Sequence, residues 1–313
     1  MTVADGSQVR LASVTEGTIN TIPTSPHFQI MRYVSSDVRL AKQVDVPNEV
    51  RADRNVAAIT DVGRMVQGTI QTLYSYATYH TWLEYLLCSN WNTNVLKNGV
   101  TPQAATLEHF YEQGTTDTYV RYRGTRFNTL DLSLKPRASV SAAWGIMGIG
   151  SPTPTNGILS GATYAHATTT EVFNAGLNVA ALDFTGITNA PKIQALSLKI
   201  SNNIYPVDIV SAYEPYAHGL GRFDVTGSFT ALFENLDTYA AILAHDDVKI
   251  GFTLTDSASN SEVWSIPVTK LIDGGPNGPG NGQPVVLEVP FQAKFDATSA
   301  ASLNITRTTV ALS

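Results

Sequence analysis

The sequence predicts a mostly β protein, built as tandem β-sandwich or barrel domains that each carry one packed α-helix. Three observations point there. Charged residues make up only 15% of the 313, and 23 glycines and 15 prolines are spread along the chain, a composition that suits sandwiches and barrels better than helical bundles. The stretches "VQGTIQTLY" at 66–74 and "VTGSFTALF" at 225–233 both alternate with the period of a half-buried strand. After each one the period becomes helical, with Tyr79, Trp82, Leu83 and Leu86 on one stripe and Leu236, Tyr239, Ala240 and Leu243 on the other.

Aligned on Gly68 and Gly227, Val66 matches Val225 and Leu73 matches Leu232, while Thr69/Ser228, Ile70/Phe229 and Tyr74/Phe233 are conservative pairs. A glycine shared inside both strands predicts a bulge or a close backbone approach. "NLD" at 235–237 offers an Asn-type cap to the second helix, and "HDD" at 245–247 closes it with a polar turn. Downstream, Leu130, Leu132 and Leu134 alternate with polar residues, as do Ile250, Phe252 and Leu254. "TDSASNSE" at 255–262 reads as a hairpin turn. A long last strand puts Val285, Leu287, Val289, Phe291, Ala293 and Phe295 on one face. Between the halves, 148–170 is rich in Pro, Gly and Thr and reads as linker or irregular loop. The division expected is 1–155, with an N-terminal arm and a long hairpin loop, and 156–313 as its diverged duplicate, each of ordinary domain size.

The formal net charge is -6, from 20 Lys plus Arg against 26 Asp plus Glu, with no basic run. A surface that grips duplex nucleic acid by neutralising phosphates is therefore excluded. The N-terminus has no charged segment followed by an apolar core, and no apolar run of about eighteen residues occurs, which predicts a chain made and kept in the cytoplasm with no membrane partner. The single cysteine, Cys88, ends an apolar helical pattern and reads as a small buried hydrophobe, with no disulfide possible within the chain.

No chemistry-bearing constellation stands out. The six histidines are scattered without paired ligand spacing, and His80 with Glu84 on one helical face reads as a solvated pair. There is no G-x-S-x-G elbow, and the acidic residues fall mostly in turns, at strand ends or beside basic neighbours. The reading is therefore of no enzyme: no catalytic residue, no metal, no cofactor. "DGGPNGPGNGQP" at 273–284 is too dense in Gly and Pro for regular structure and predicts a mobile loop; no Gly-Lys-Ser/Thr follows, so it is no phosphate cradle. Trp82 lies on the helical stripe and belongs in the core, whereas Trp264 sits in a strand where either face is open to it. Aromatic platforms of that kind support a second reading, a glycan- or receptor-binding β-sandwich.

Longer stretches carry a family resemblance: "EGTINTIPTSPHFQIMRYVSSDVRL", "VPNEVRADRNVAAITDVGRMVQGTI", "VLKNGVTPQAATLEH" leading into "YVRYRGTRFNTLDLSL", and a last strand ending in "NITR". On these the chain resembles the tail tube proteins (major tail proteins) of long, non-contractile-tailed bacteriophages, through nearly its whole length. The most specific part is Asn48, Glu49, Arg51, Asp53 and Arg54, similar to the family's S-N-E-I-R-x-D-R with Pro47 in place of the serine.

The resemblance implies tail-tube-type domains in a structural virion protein whose rings stack into a hollow tube, the conduit for DNA ejection. It implies self-association, as three two-domain chains with pseudo-sixfold symmetry or as six chains, and contact with tape measure, terminator and tail-tip proteins. Double-stranded DNA passes through non-specifically, so a net-negative lumen is expected from the overall charge. The place of action is the virion tail, after assembly in the host cytoplasm. Within 36–60, charge signs alternate on a stretch too polar for a core. It is expected to protrude as a hairpin that docks on the next ring, with Glu49, Arg51, Asp53 and Arg54 making inter-ring ion pairs that set register more than strength. A solvated loop with incidental charges is the plainer alternative. On a tube, 273–284 would lie on the outer wall or at the ring junction. A tail terminator or tail-tip ring protein is a further alternative.

Overall fold

A computed structural model of the chain describes residues 3–114 and 116–308. The first half runs β1 (Arg10–Thr15), β2 (His27–Met31), β3 (Ser35–Ser36), β4 (Arg39–Asp45), β5 (Thr60–Leu73), α1 (His80–Leu87), β6 (Val95–Lys97), β7 (Ala105–Tyr111), β8 (Thr118–Leu134) and β9 (Ser141–Gly148). β10 (Thr163–Ala165) leads into β11 (Val179–Asp183), β12 (Ile193–Ser201), β13 (Tyr205–Val207), β14 (Ala217–Gly219) and β15 (Asp224–Leu232). Then follow α2 (Asp237–Ala244), β16 (Asp247–Thr255), β17 (Ser261–Leu271), β18 (Val286–Ala293) and β19 (Asn304–Arg307). The fold is mostly β, as composition and alternation predict.

Both halves repeat one antiparallel pairing order. In the first it is β1·β7·β8·β9·β5·β4. In the second it is β11·β16·β17·β18·β15·β12. The helices occupy corresponding places, after β5 and after β15, and both have eight residues. Each ends on a left-handed non-glycine residue, Cys88 at φ 49° and His245 at φ 55°.

The two orders fuse into one sheet because β8 is long. Its first part pairs with β7; its last part has β9 on one side and β12 on the other, with Leu134 opposite Leu196 and Thr129 opposite Ser201. Since cross-strand partners share a face, whole rows of side chains can be followed across the halves. Ile70, Trp144, Leu130, Ile200 and Val225 form one buried row. One residue along lies the polar row Gln71, Ala143, Asp131, Lys199, Thr226 and Gln292. The alternation read from the sequence is therefore the alternation of one sheet with a core side and a wet side.

Gly68 and Gly227 hold matching positions, opposite Ile146 of β9 and Phe291 of β18. A Cβ at Gly68 would meet the Val38 backbone; one at Gly227 would meet the Ser197 carbonyl and the Phe291 ring. The close approach predicted for the shared glycine is present in both halves.

Four details differ from the sequence reading. The α1 stripe is buried, with Trp82 packed on Phe127 and Trp144, but Leu236, Ala240 and Leu243 face outward on α2, which buries Thr238 and Ala241 instead. Tyr and Ala at the places of Trp82 and Leu83 give that stripe too little bulk to fill the layer beneath. Asn235 does not sit at the N-cap: its Oδ1 accepts the Asp237 N–H at 3.0 Å, while the cap residue is Leu236. The last strand stops at Ala293, so Val285 and Phe295 lie beyond its ends and are exposed. Finally, 148–170 is irregular yet well anchored, with bridges Arg123↔Gly150 and Tyr119↔Thr155 continuing the β9 edge and β10 adding a parallel strand to β2.

Candidate assembly interface

The β4–β5 hairpin carries the motif residues. Arg39–Asp45 pairs with the first part of β5, and the connection 46–59 stands clear of the body, with Val50, Val56 and Ile59 exposed alongside its charges. Loops rarely present that many apolar side chains to water without a partner surface. Of the four predicted contact residues, the structure brings two together. Arg51 clasps Asp53 through Nε and a terminal nitrogen, at 3.0 and 2.9 Å, a bidentate pair inside the tip. That guanidinium holds the Asp53 carboxyl far below the usual carboxylate range, and the Asp53 carboxylate raises the Arg51 pKa in turn. Arg54 takes a left-handed conformation, φ 60°, bonding back to the Arg51 carbonyl; Glu49 is exposed. The motif thus shapes the tip as well as charging it.

The wet side of the fused sheet is the second surface. It is dominated by hydroxyls and amides: Ser133, Ser141, Ser197 and Ser228 line up in one row, with a 3.0 Å bond between the Ser197 and Ser228 hydroxyls. Of its cations, Lys199 lies 4.0 Å from Asp131, Lys270, opposite Gln292, pairs with Asp247 at 2.8 Å, and Arg39 stands opposite Gln67; Glu288, opposite Thr230, adds a carboxylate. Phosphate finds little to bind there.

The third feature is the junction between halves. Asn202, just past β12, donates from Nδ2 to the carbonyls of Leu86 at 2.6 Å and Phe127 at 3.0 Å, tying β12 to the end of α1 and to β8. On another side, β19 pairs with β6. There His80 is not in a solvated pair with Glu84. Arg307 donates to its Nδ1 at 2.7 Å, so its proton lies on Nε2 and goes to the fully buried Glu262, also at 2.7 Å. Glu262 accepts from the Tyr74 hydroxyl as well, at 2.7 Å, while Glu84 instead accepts the Trp91 N–H. The Arg307 guanidinium stacks over the Trp91 ring. These long-range partners leave no spacing in the sequence; only the strand order joins them.

Trp82, Trp144 and Trp264 are all buried, which leaves none of the three available as a sugar platform. Cys88 is buried too, and burial pushes its thiol up. Among the described residues no helix is long and apolar enough to cross a membrane. Two comparisons bear on this arrangement. A family model described as phage tail tube protein matches residues 6–293. No curated protein matches the chain.

Proposed function

Since the chain belongs to the phage tail tube protein family, and so to the structural proteins of the virion tail, we propose that it polymerises as stacked rings of three chains with pseudo-sixfold symmetry, forming the conduit for DNA ejection. In this reading 1–155 and 156–313 are two copies of one unit, tandem duplicates of a single tube domain. The observation that carries it is the β8·β12 pairing, which joins β4·β5·β9·β8 to β12·β15·β18 in one sheet with a single polar face. Two units already meet edge to edge within a chain. Repeating that contact between chains closes a barrel and removes the edges that would otherwise invite aggregation.

The polar face then lines the bore, where hydroxyls, amides and cations already paired with carboxylates, as Lys199 is with Asp131 and Lys270 with Asp247, let DNA slide with few counterion-releasing contacts. The β4–β5 hairpin reaches the next ring, with Glu49, Arg51, Asp53 and Arg54 at its docking tip. Tape measure, terminator and tail-tip proteins are the other partners, and assembly takes place in the host cytoplasm. Electron cryo-microscopy of self-assembled material tests this: three chains per ring with Gln71, Asp131, Lys199 and Thr226 facing the bore is the expected result. Six chains per ring, or a bore walled by Lys and Arg, would overturn it.

A further inference from the structure

The internal repeat also says which residues one chain offers the next. Facing partners match Arg39 with Lys199, since these lie opposite Gln67 and Thr226, the residues just before Gly68 and Gly227. On that basis Val38, Leu40 and Ala41 correspond to Leu198, Ile200 and Ser201. The burial agrees: Val38 and Leu198 are both buried and Arg39 and Lys199 both exposed. The outer edge of β12 is filled by β8, from Thr129 to Leu134. No strand among the described residues pairs with the outer edge of β4.

At the other end of the chain the filling strand is interrupted. Leu271 opposes Phe291 and the Ile272 N–H still bonds the Pro290 carbonyl, at 2.9 Å, but regular pairing then stops. The next residues stay beside β18 all the same, for a Cβ at Gly274 would touch the Glu288 carbonyl. By their β18 partners, Ile272 to Gly275 stand where Thr129 to Leu132 stand in the first half. An apolar group there is left in water: Leu243 on α2 is 69% exposed where its counterpart Leu86, beside Asn202, is completely covered, while the exposed Ile272 stands in the wet row of Thr129.

We propose that the Gly/Pro segment is the interrupted counterpart of the end of β8, and that Ile272–Gly275 of one chain becomes a short strand against Val38–Ala41 of a second copy. The pairing is antiparallel, with Ala41 opposite Ile272, Leu40 opposite Asp273, Arg39 opposite Gly274 and Val38 opposite Gly275. Pro276, whose missing N–H would face β18 by the same alternation as that of Ile272, stops the segment from continuing along β18. Glycines suit a segment that is irregular in the free chain and extended in the assembly, and strand addition to an open edge supplies the affinity through main-chain bonds. The segment then belongs at the junction between chains within a ring. This rests on the tube reading above but fixes a contact which that reading leaves open.

The test is oxidative cross-linking of assembled material carrying Ala41→Cys and Ile272→Cys, positions whose Cβ atoms would lie about 5 Å apart. Asp45→Cys with Ile272→Cys, displaced by four residues or about 13 Å along the strand, is the off-register control. Covalent dimers and trimers from the first pair alone are expected. Tubes that form yet link instead through Ala41→Cys with Glu288→Cys would overturn the proposal while leaving the tube reading intact, because β4 would then sit directly on β18. Absence of rings by negative-stain microscopy in the unmodified protein would overturn both. Hydrogen exchange on unmodified tubes guards against a variant that fails to assemble: the Ile272 N–H already bonds to β18, so by strand alternation the amides of Asp273 and Gly275 face the second copy and should exchange at least tenfold more slowly than in the free subunit, and an unchanged rate at both overturns the proposal.

Discussion

Two buried histidines set how the subunit responds to acid. His109 and His218 are almost completely buried, and both imidazole nitrogens of His218 lack a hydrogen-bond partner. Burial pushes each down to about 4; for His218 the Arg126 charge adds to the effect. A folded pKa below the unfolded value near 6.5 means that the unfolded chain takes up protons first. Their contribution is fully present above pH ~6.5 and is lost as pH falls toward ~4, by at most about 3 kcal/mol each. Urea midpoints of the free subunit should drop steeply between pH 7 and 4.5, and His109→Leu with His218→Leu should flatten the curve. A second residue-scale outcome concerns Glu262: Glu262→Leu strands the donors of Tyr74 and His80, costing about 1–3 kcal/mol for each, read as a lower Tm, with Glu262→Gln milder. Sequence reasoning placed Cys88 and Trp82 in the core because both sit on an apolar helical stripe. It misjudged His80, whose partners lie 182 and 227 residues away.

Strands were the legible elements and the second helix was not. A two-residue period survives wherever one sheet face is buried, so 66–74, 225–233 and 250–254 read true. The helical stripe at 236–243 failed because a helix can turn a different face to the sheet when the side chains under it are small. The shared glycines were legible for a steric reason, and that reason is testable. Gly227→Ala forces a Cβ toward the Ser197 carbonyl and the Phe291 ring and should lower stability by about 1–3 kcal/mol in a thermal melt. The hairpin tip gives the opposite outcome. Arg51→Glu with Arg54→Glu should leave Tm unchanged, because both side chains stand in solvent, yet slow or abolish tube formation followed by light scattering. Unaltered polymerisation would remove the tip from the inter-ring contact.

For the whole molecule, the two kinds of contact should part company in salt. Ion pairs at an exposed tip are screened when the Debye length shrinks to about 3 Å at 1 M salt, whereas main-chain strand pairing and apolar burial are not. High salt should therefore release single rings from the tubes, visible by negative-stain microscopy and sedimentation; passage straight to monomers would count against separate roles for hairpin tip and sheet edge. The amino-acid order by itself determined the mostly β class, the repeated strand-glycine-helix unit and the family resemblance, since periodicity and close-packed glycines are local properties written into neighbouring residues. Only the tertiary structure decided that β8 of one half borders β12 of the other, that the α2 stripe faces outward, and that Glu262 meets His80. Those depend on which edges meet, and an edge is chosen by the global closure of a sheet, which no window of the chain contains.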